Sequence, residues 1–203
     1  GFGGHRIEGI GDKHVPWVHN VRETDAVAAI DDEDCMRVLR LFNEPAGLEM
    51  LREAGVPADT AANLELLGIS SIGNVLAAIK AAKYWELGED DVVFTVFTDS
   101  AGMYLSRLSE LTAERGPFTA TDAARTHAGS IERLGVGDFK ELTYRDRKAI
   151  HNLKYYTWVE QQGKTYEEIQ AQWDPEYWRE LFEDEVVHFD RLIEEFNAEV
   201  GLG

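Results

Sequence analysis

Apolar residues form short strand-like runs in the first half of the chain. Residues 92–97 (VVFTVF) are β-branched and aromatic, a composition that is typical of a strand, and residues 26–30 (AVAAI) predict a shorter, buried strand. Residues 5–11 (HRIEGIG) predict a third strand, which ends in glycines where the backbone can turn sharply or approach a ligand.

Helical patterns alternate with these strands. Apolar residues recur at helical spacing in 31–44, after acidic residues suited to capping. A second helix-forming run follows Gly68–Ser71 and extends to about Leu87, and a third spans roughly 101–115. Because helices and strands alternate, the sequence predicts an α/β fold containing part of a twisted, mostly parallel sheet with flanking helices.

The pattern changes at Gly116. Residues 116–203 show little β-branched alternation and several acidic helical stretches, so they predict a mainly helical C-terminal extension. We therefore divide the chain into domains 1–115 and 116–203. The extension also contains clustered aromatic residues, which form either a stacking platform or helix-packing anchors; the acidity of the chain favours anchors. These residues are Tyr155, Tyr156, Trp158, Trp173, Tyr177 and Trp178.

Composition narrows the function classes. The 203 residues include 38 acidic and 20 basic side chains, and the formal net charge of −18 disfavours nucleic acid and anionic membranes as partners. No apolar run is long enough to span a bilayer. The only cysteine, Cys35, predicts a reducing, cytoplasmic compartment and a buried, inert thiol. The chain starts in glycine-rich sequence without an initiator Met, which predicts further polypeptide upstream.

Two places carry candidate chemistry, each with a structural alternative. Thr98-Asp99-Ser100 ends the predicted strand 92–97, so Asp99 or Ser100 either caps the following helix or faces a ligand at the strand's carboxyl end. The Ser70-Ser71 pair begins a helix, which suits an anionic ligand, although capping alone explains both serines. The six histidines lack a recognised metal-ligand spacing, and the acidic residues near the C-terminus fall on several helix faces.

Three segments in order resemble one enzyme family. HRIEGIGDKHVP, GISSIGNVLAAIKAAK and VVFTVFTDSAGMYLSRL are similar to the carboxyl-terminal half of fold-type II pyridoxal-phosphate-dependent enzymes, the cysteine synthase and cystathionine β-synthase family. The likeness covers residues 5 to about 112. It implies pyridoxal 5′-phosphate as cofactor, a small amino acid as substrate, and β-elimination or β-replacement as the reaction.

The resemblance also implies specific site residues. The serine that matches Ser100 hydrogen-bonds the pyridine nitrogen of the cofactor in that family, and the residues that match Gly9, Ile10 and Gly11 lie along the active-site cleft. For Ser70 and Ser71 the resemblance implies a structural helix start. We therefore expect Ser100, Gly9, Ile10 and Gly11 to bind cofactor, and we assign no catalytic or metal-binding residue.

The family's Schiff-base lysine and phosphate loop belong to an amino-terminal half that these residues do not contain. None of the lysines has the matching context: Lys13, Lys80, Lys83, Lys140, Lys148, Lys154 and Lys164. We therefore expect the chain alone to be inactive and its partner to be an N-terminal half or a companion subunit that carries the lysine. The assembly is expected to be a homo-oligomer. The alternative is a non-catalytic, acidic scaffold or interaction subunit that retains the fold.

Overall fold

The computed structural model describes residues 4–7, 9–11 and 13–202, and it is 62% helical. The predicted α/β fold is wrong. Within the described residues there is one small antiparallel sheet of two strands, β1 (Ala26–Ala28) and β2 (Phe139–Glu141). The helices are α1 (Asp32–Asn43), α2 (Pro45–Glu53), α3 (Ala58–Ala62), α4 (Ile69–Tyr84), α5 (Leu105–Arg115), α6 (Ala120–Thr126), α7 (Tyr144–Asn152), α8 (Tyr166–Ala171), α9 (Pro175–Glu180) and α10 (Val186–Glu199).

Two of the three predicted strands do not form. Residues 92–97 form no regular secondary structure and pair with no strand among the described residues, and the described part of 5–11 contains no strand. Only 26–30 contributes, through β1. A strand needs a neighbour for its backbone groups, and β-branched residues alone do not supply one.

The predicted helices are present with adjusted ends. Asp31 caps α1 by accepting a hydrogen bond from the Glu33 N–H at 2.8 Å. The third predicted helix begins as a 3-10 turn, Ala101–Tyr104, which leads into α5. Shorter π-helical segments occupy His127–Glu132, Tyr155–Val159 and Leu181–Glu185.

The chain forms two compact units. Unit 1 comprises Gly1–Lys13 and Ala26–Lys140, and unit 2 comprises His14–Asp25 and Glu141–Gly203. The division into domains 1–115 and 116–203 stays a prediction, and the compact units have different bounds.

The core of unit 1 lies between α1, α2 and α4. Its buried residues include Cys35, Met36, Leu39, Leu41, Leu51, Ile69, Ile72 and Leu76. Helix α2 lies very close to α1 at Gly47, where an added Cβ would overlap the Leu41 carbonyl group. Only glycine fits at this contact, so α2 and α1 are held at a short separation.

Unit 2 is organised around a buried lysine. The Lys154 ammonium donates to the carbonyl oxygens of Trp17 and His19 at 2.9 and 2.8 Å and to Gln172 Oε1 at 2.6 Å. The Trp178 indole is also buried and donates to the Gln172 carbonyl at 2.7 Å. These bonds join residues distant in sequence, which explains how short helices form a compact unit.

Candidate functional site

The start of α4 is capped by a side chain from a distant segment. The Asp99 carboxylate accepts hydrogen bonds from the backbone N–H groups of Ser70 and Ser71, at 3.3 and 3.1 Å. The Ser71 hydroxyl donates to Asp99 Oδ1 at 2.6 Å. The Asp99 carboxylate is therefore the anion that binds the free N–H groups in the first turn of α4.

This cap depends on Gly68. An added Cβ there would lie 2.5 Å from Asp99 Cγ, closer than any tolerated contact. The Gly68 N–H donates to the Asp99 carbonyl at 3.1 Å. Because Gly68 has no side chain, the backbone and carboxylate of Asp99 can approach the start of α4.

The hydrogen bonds also determine the charge state of Asp99. Burial acts to raise the pKa of Asp99, but hydrogen bonds from Ser71, Tyr104 and Ser70 outweigh it, so the pKa lies below its usual value. The Tyr104 hydroxyl supplies one of these bonds, donating to Asp99 Oδ2 at 2.7 Å. Asp99 is therefore an ionised structural group.

Ser100 has a different environment from Asp99. It is half-buried and occupies the N-cap position of the Ala101–Tyr104 turn, but its side chain makes no capping hydrogen bond. Of the two alternatives for this segment, side-chain capping of the following helix is not observed, because Asp99 caps α4 and Ser100 makes no capping bond. Among the described residues, the Ser100 hydroxyl has no hydrogen-bond partner.

The Gly9–Gly11 segment lies near the same helix start. Gly9 and Gly11 have φ values of 93° and 76°, a conformation that favours glycine. An added Cβ on Gly9 would lie 3.8 Å from Ser70 Oγ, and the Ser70 hydroxyl lies 3.2 Å from Thr98 Oγ1. Ile10 reaches the next turn of α4, since its Cδ1 lies 3.2 Å from a Cβ built on Gly73. The start of α4 therefore brings the predicted glycine segment near the segment that ends in Ser100.

The segment before Ser100 is unusually exposed. Val92 and Phe94 are 91% and 89% exposed, and Val93, Val96 and Phe97 are exposed as well. Among the described residues, one hydrogen bond is made to the backbone of residues 92–97, from Asn74 Nδ2 to the Val96 carbonyl at 2.8 Å. Apolar side chains are therefore exposed along most of this segment.

The buried lysines do not supply a free amine. Lys80 donates to the carbonyls of Ala29 and Gly137, both at 2.8 Å, and so joins α4 to the residues beside β1 and β2. Burial lowers the pKa of Lys154 to about 8, but its three hydrogen bonds occupy all three ammonium protons. Both lysines are structural.

Sequence reasoning missed the buried cluster that Lys154 forms in unit 2. His151 is also buried there and lies 2.9 Å from the Ile169 carbonyl through Nε2. Burial lowers the pKa of His151 to about 4, so the imidazole is neutral and Nε2 donates. The spacing of His151 and Lys154 along one helical stretch is a weak signal, because their acceptors come from distant residues.

No group of three or more His, Cys, Asp or Glu side chains among the described residues is arranged to hold a metal ion. Within the same residues, no helix is both long and apolar enough to cross a membrane.

Comparisons with protein-family models, curated proteins and solved structures found no match for this chain.

Proposed function

We propose that this chain is the carboxyl-terminal portion of a pyridoxal-phosphate-dependent lyase or transferase, cysteine synthase-like in its reaction. It would catalyse β-elimination or β-replacement on a small amino acid. The Schiff-base lysine would come from an N-terminal half or a companion subunit. The proposal rests on the resemblance of three sequence segments and on the environment of Ser100.

The Ser100 hydroxyl is the observation that carries the proposal. The adjacent carboxylate of Asp99 is held by the first turn of α4, which leaves a neutral hydroxyl as the available group at this turn. A hydroxyl fits a pyridine nitrogen because it can donate a hydrogen bond without holding that nitrogen protonated. When bound, pyridoxal phosphate supplies an electron sink for cleavage of bonds at the substrate's α-carbon.

The glycine segment fits the same site. Gly9 places backbone without a side chain close to Ser70, Gly11 lies beside the His5 imidazole, and Ile10 anchors the segment on α4. Backbone of this kind lets a planar ligand approach without steric conflict. We therefore propose Ser100, Gly9, Ile10 and Gly11 as cofactor-binding residues.

The phosphate and the lysine must be provided elsewhere. The N-terminus of α4, which would suit a phosphate, already has Asp99 as its anion. Lys80 and Lys154 are bound to carbonyl or amide oxygens. A companion polypeptide would also cover the exposed apolar residues of 92–97, which are an aggregation liability when left in water.

A non-catalytic, acidic scaffold subunit is the second candidate. The observation that favours it is that the amines of Lys80 and Lys154 are both used structurally. We further propose a homo-oligomeric assembly in the cytoplasm, supported for the location by the single, buried cysteine.

Borohydride reduction of the native assembly tests the proposal. Reduction fixes pyridoxal phosphate to its lysine, and mass spectrometry of the digested protein then locates that lysine. We expect a pyridoxyl-lysine in a peptide outside the 203 residues of this chain. A pyridoxyl group on one of this chain's lysines contradicts the proposal, and absence of any pyridoxyl group favours the scaffold.

Ser100 variants test the assignment of the ring-nitrogen partner. In the same assembly, Ser100→Ala should shift the cofactor's absorption spectrum, and Ser100→Asp should alter the balance between elimination and replacement products. Ser109→Ala is the matched control, since within the part of the chain that the structure describes the Ser109 hydroxyl bonds only to the Leu105 carbonyl of its own helix. Unchanged spectra and products in both Ser100 variants would remove Ser100 from the cofactor site.

A further inference from the structure

Helix α10 exposes its apolar residues. An amphipathic helix of a globular protein normally turns its apolar face to the core. Here the residues of that face are all exposed: Val186, Phe189, Ile193, Phe196 and Val200, the last of which directly follows the helix. We call these five residues the α10 stripe. Leu192, beside the stripe, is exposed as well. Within the described residues, no part of the α10 stripe is buried.

The α10 stripe has the spacing of a helix–helix seam. Its members are separated by three, four, three and four residues, a repeat that keeps them in one line along the helix. The same spacing allows side chains of a second helix to pack between them. The geometry therefore fits another helix better than it fits an extended peptide.

The flanks of the α10 stripe are acidic. The residues directly before Val186 and Val200 are Glu185 and Glu199, and Asp190 directly follows Phe189. In a helix seam the flanking positions are those directly before Val186, Ile193 and Val200 and those directly after Phe189 and Phe196. The two not yet named are Leu192 and Asn197, so no flanking position holds a lysine or an arginine.

The arginine of α10 lies away from these flanks. The Arg191 Nη2 lies 2.9 Å from His188 Nδ1, and its Nε lies 3.7 Å from Glu195 Oε1. These partners are on the side of the helix opposite the α10 stripe. Arg191 therefore does not neutralise the flanking carboxylates.

We propose that the α10 stripe docks an amphipathic helix of another polypeptide whose own apolar stripe is flanked by lysine or arginine. Charges flanking a helix seam select the partner by attraction across the seam. A second copy of α10 would place acidic flanks against acidic flanks. An anionic membrane surface would be repelled in the same way by a chain of net charge −18.

Two designed peptides test this partner chemistry. Both are helical, about three heptads long, and carry the same apolar stripe, but one has lysine and the other glutamate at the flanking positions. Binding to the full chain is measured by calorimetry. We expect the lysine peptide to bind at least about tenfold more tightly and to weaken as salt is raised.

Charge-reversal variants make the test specific. The double variant Asp190→Lys, Glu199→Lys should reverse the preference and bind the glutamate peptide. Glu194→Lys with Glu195→Lys is the control, because it changes the charge by the same amount at positions farther from the stripe. Ile193→Asp should abolish binding of both peptides while the circular dichroism spectrum stays unchanged, since Ile193 is exposed.

Four outcomes would overturn the proposal. They are equal binding of the two peptides, binding that survives Ile193→Asp, self-association of the chain that Ile193→Asp abolishes, and stripe-dependent binding to anionic lipid vesicles. None of these outcomes depends on pyridoxal phosphate, so the proposal stands or fails separately from the proposed enzyme function.

Discussion

Neighbouring side chains in this protein differ sharply in what they do. Asp99 is ionised and bound to the first turn of α4, whereas the Ser100 hydroxyl has no hydrogen-bond partner among the described residues. Buried titratable groups also differ from one another in charge and in hydrogen bonding. Lys154 has its three protons satisfied, and His151 is neutral with one donor used. Burial and hydrogen-bond partners, more than residue type, determine each role.

His151 should make the protein lose stability as the pH falls from about 6.5 to about 4. In this window an unfolded histidine takes up a proton, but the pKa of His151, lowered to about 4 by burial, keeps the folded form neutral. The free energy of unfolding should therefore fall by up to about 3 kcal/mol across the window. Urea titrations at several pH values measure this.

His151→Gln should remove this part of the pH dependence, because glutamine does not titrate. His188→Gln changes an exposed histidine and should leave the pH dependence of stability unchanged. An identical pH profile in His151→Gln and the wild type would show that His151 does not carry the effect.

Cys35 should not react with a thiol reagent in the folded protein. The thiol is fully buried, and burial together with nearby acidic residues raises its pKa to about 12. Ellman's reagent should label it only after denaturant is added. A Ser109→Cys variant provides an exposed thiol as positive control, and rapid labelling of native wild-type protein would contradict the expectation.

At the scale of elements, local sequence predicted helices better than strands. Acidic caps and apolar periodicity identified α1, and the run after Ser71 identified α4. The strand at 92–97 was predicted wrongly because its residues favour extended backbone but cannot provide a neighbour. The cap of α4 was not predictable for a related reason, since Asp99 lies 28 residues from Ser71 in sequence.

The close approach of Gly68 and Asp99 should appear as an energetic coupling. Asp99→Ala removes the cap of α4 and should cost about 1–2 kcal/mol of stability. Gly68→Ala should also cost about 2 kcal/mol, because its new Cβ would lie 2.5 Å from Asp99 Cγ.

The two substitutions together should cost less than the sum, by about 1 kcal/mol or more, since removing the Asp99 carboxylate makes room for the new methyl group. Denaturant titrations of the four proteins measure the coupling. Gly129→Ala is the control, because no atom of the described residues outside its own helix lies within 4 Å of the added Cβ. Simple additivity would show that the two positions do not interact.

For the whole molecule, the sequence established the charge but not the architecture. A net charge of −18 follows from composition alone. The helical fold depends instead on contacts that composition does not reveal, such as the Lys154 hydrogen bonds to Trp17 and His19. Part of the candidate site was predictable, because Ser100 and the glycine segment follow visible motifs. The sequence did not predict that the glycine segment and the segment ending in Ser100 both lie near the start of α4.

Salt should stabilise the whole protein. Like charges repel each other more strongly in the compact state, and ions screen that repulsion. Raising NaCl from about 0.05 M to about 0.5 M should therefore increase the urea concentration at the unfolding midpoint. Glu89→Lys with Asp90→Lys lowers the negative charge at exposed positions and should reduce the response. A midpoint that falls with salt would indicate that attractive ion pairs dominate.

The discontinuity of unit 2 constrains the order of events during synthesis. Trp17 leaves the ribosome 137 residues ahead of Lys154, whose ammonium its carbonyl accepts. The segment His14–Asp25 must therefore wait, without its partners, while Ala26–Lys140 is translated and can already fold. A pause in translation before residue 154 would prolong that wait and lengthen the time during which chaperones can engage the nascent chain.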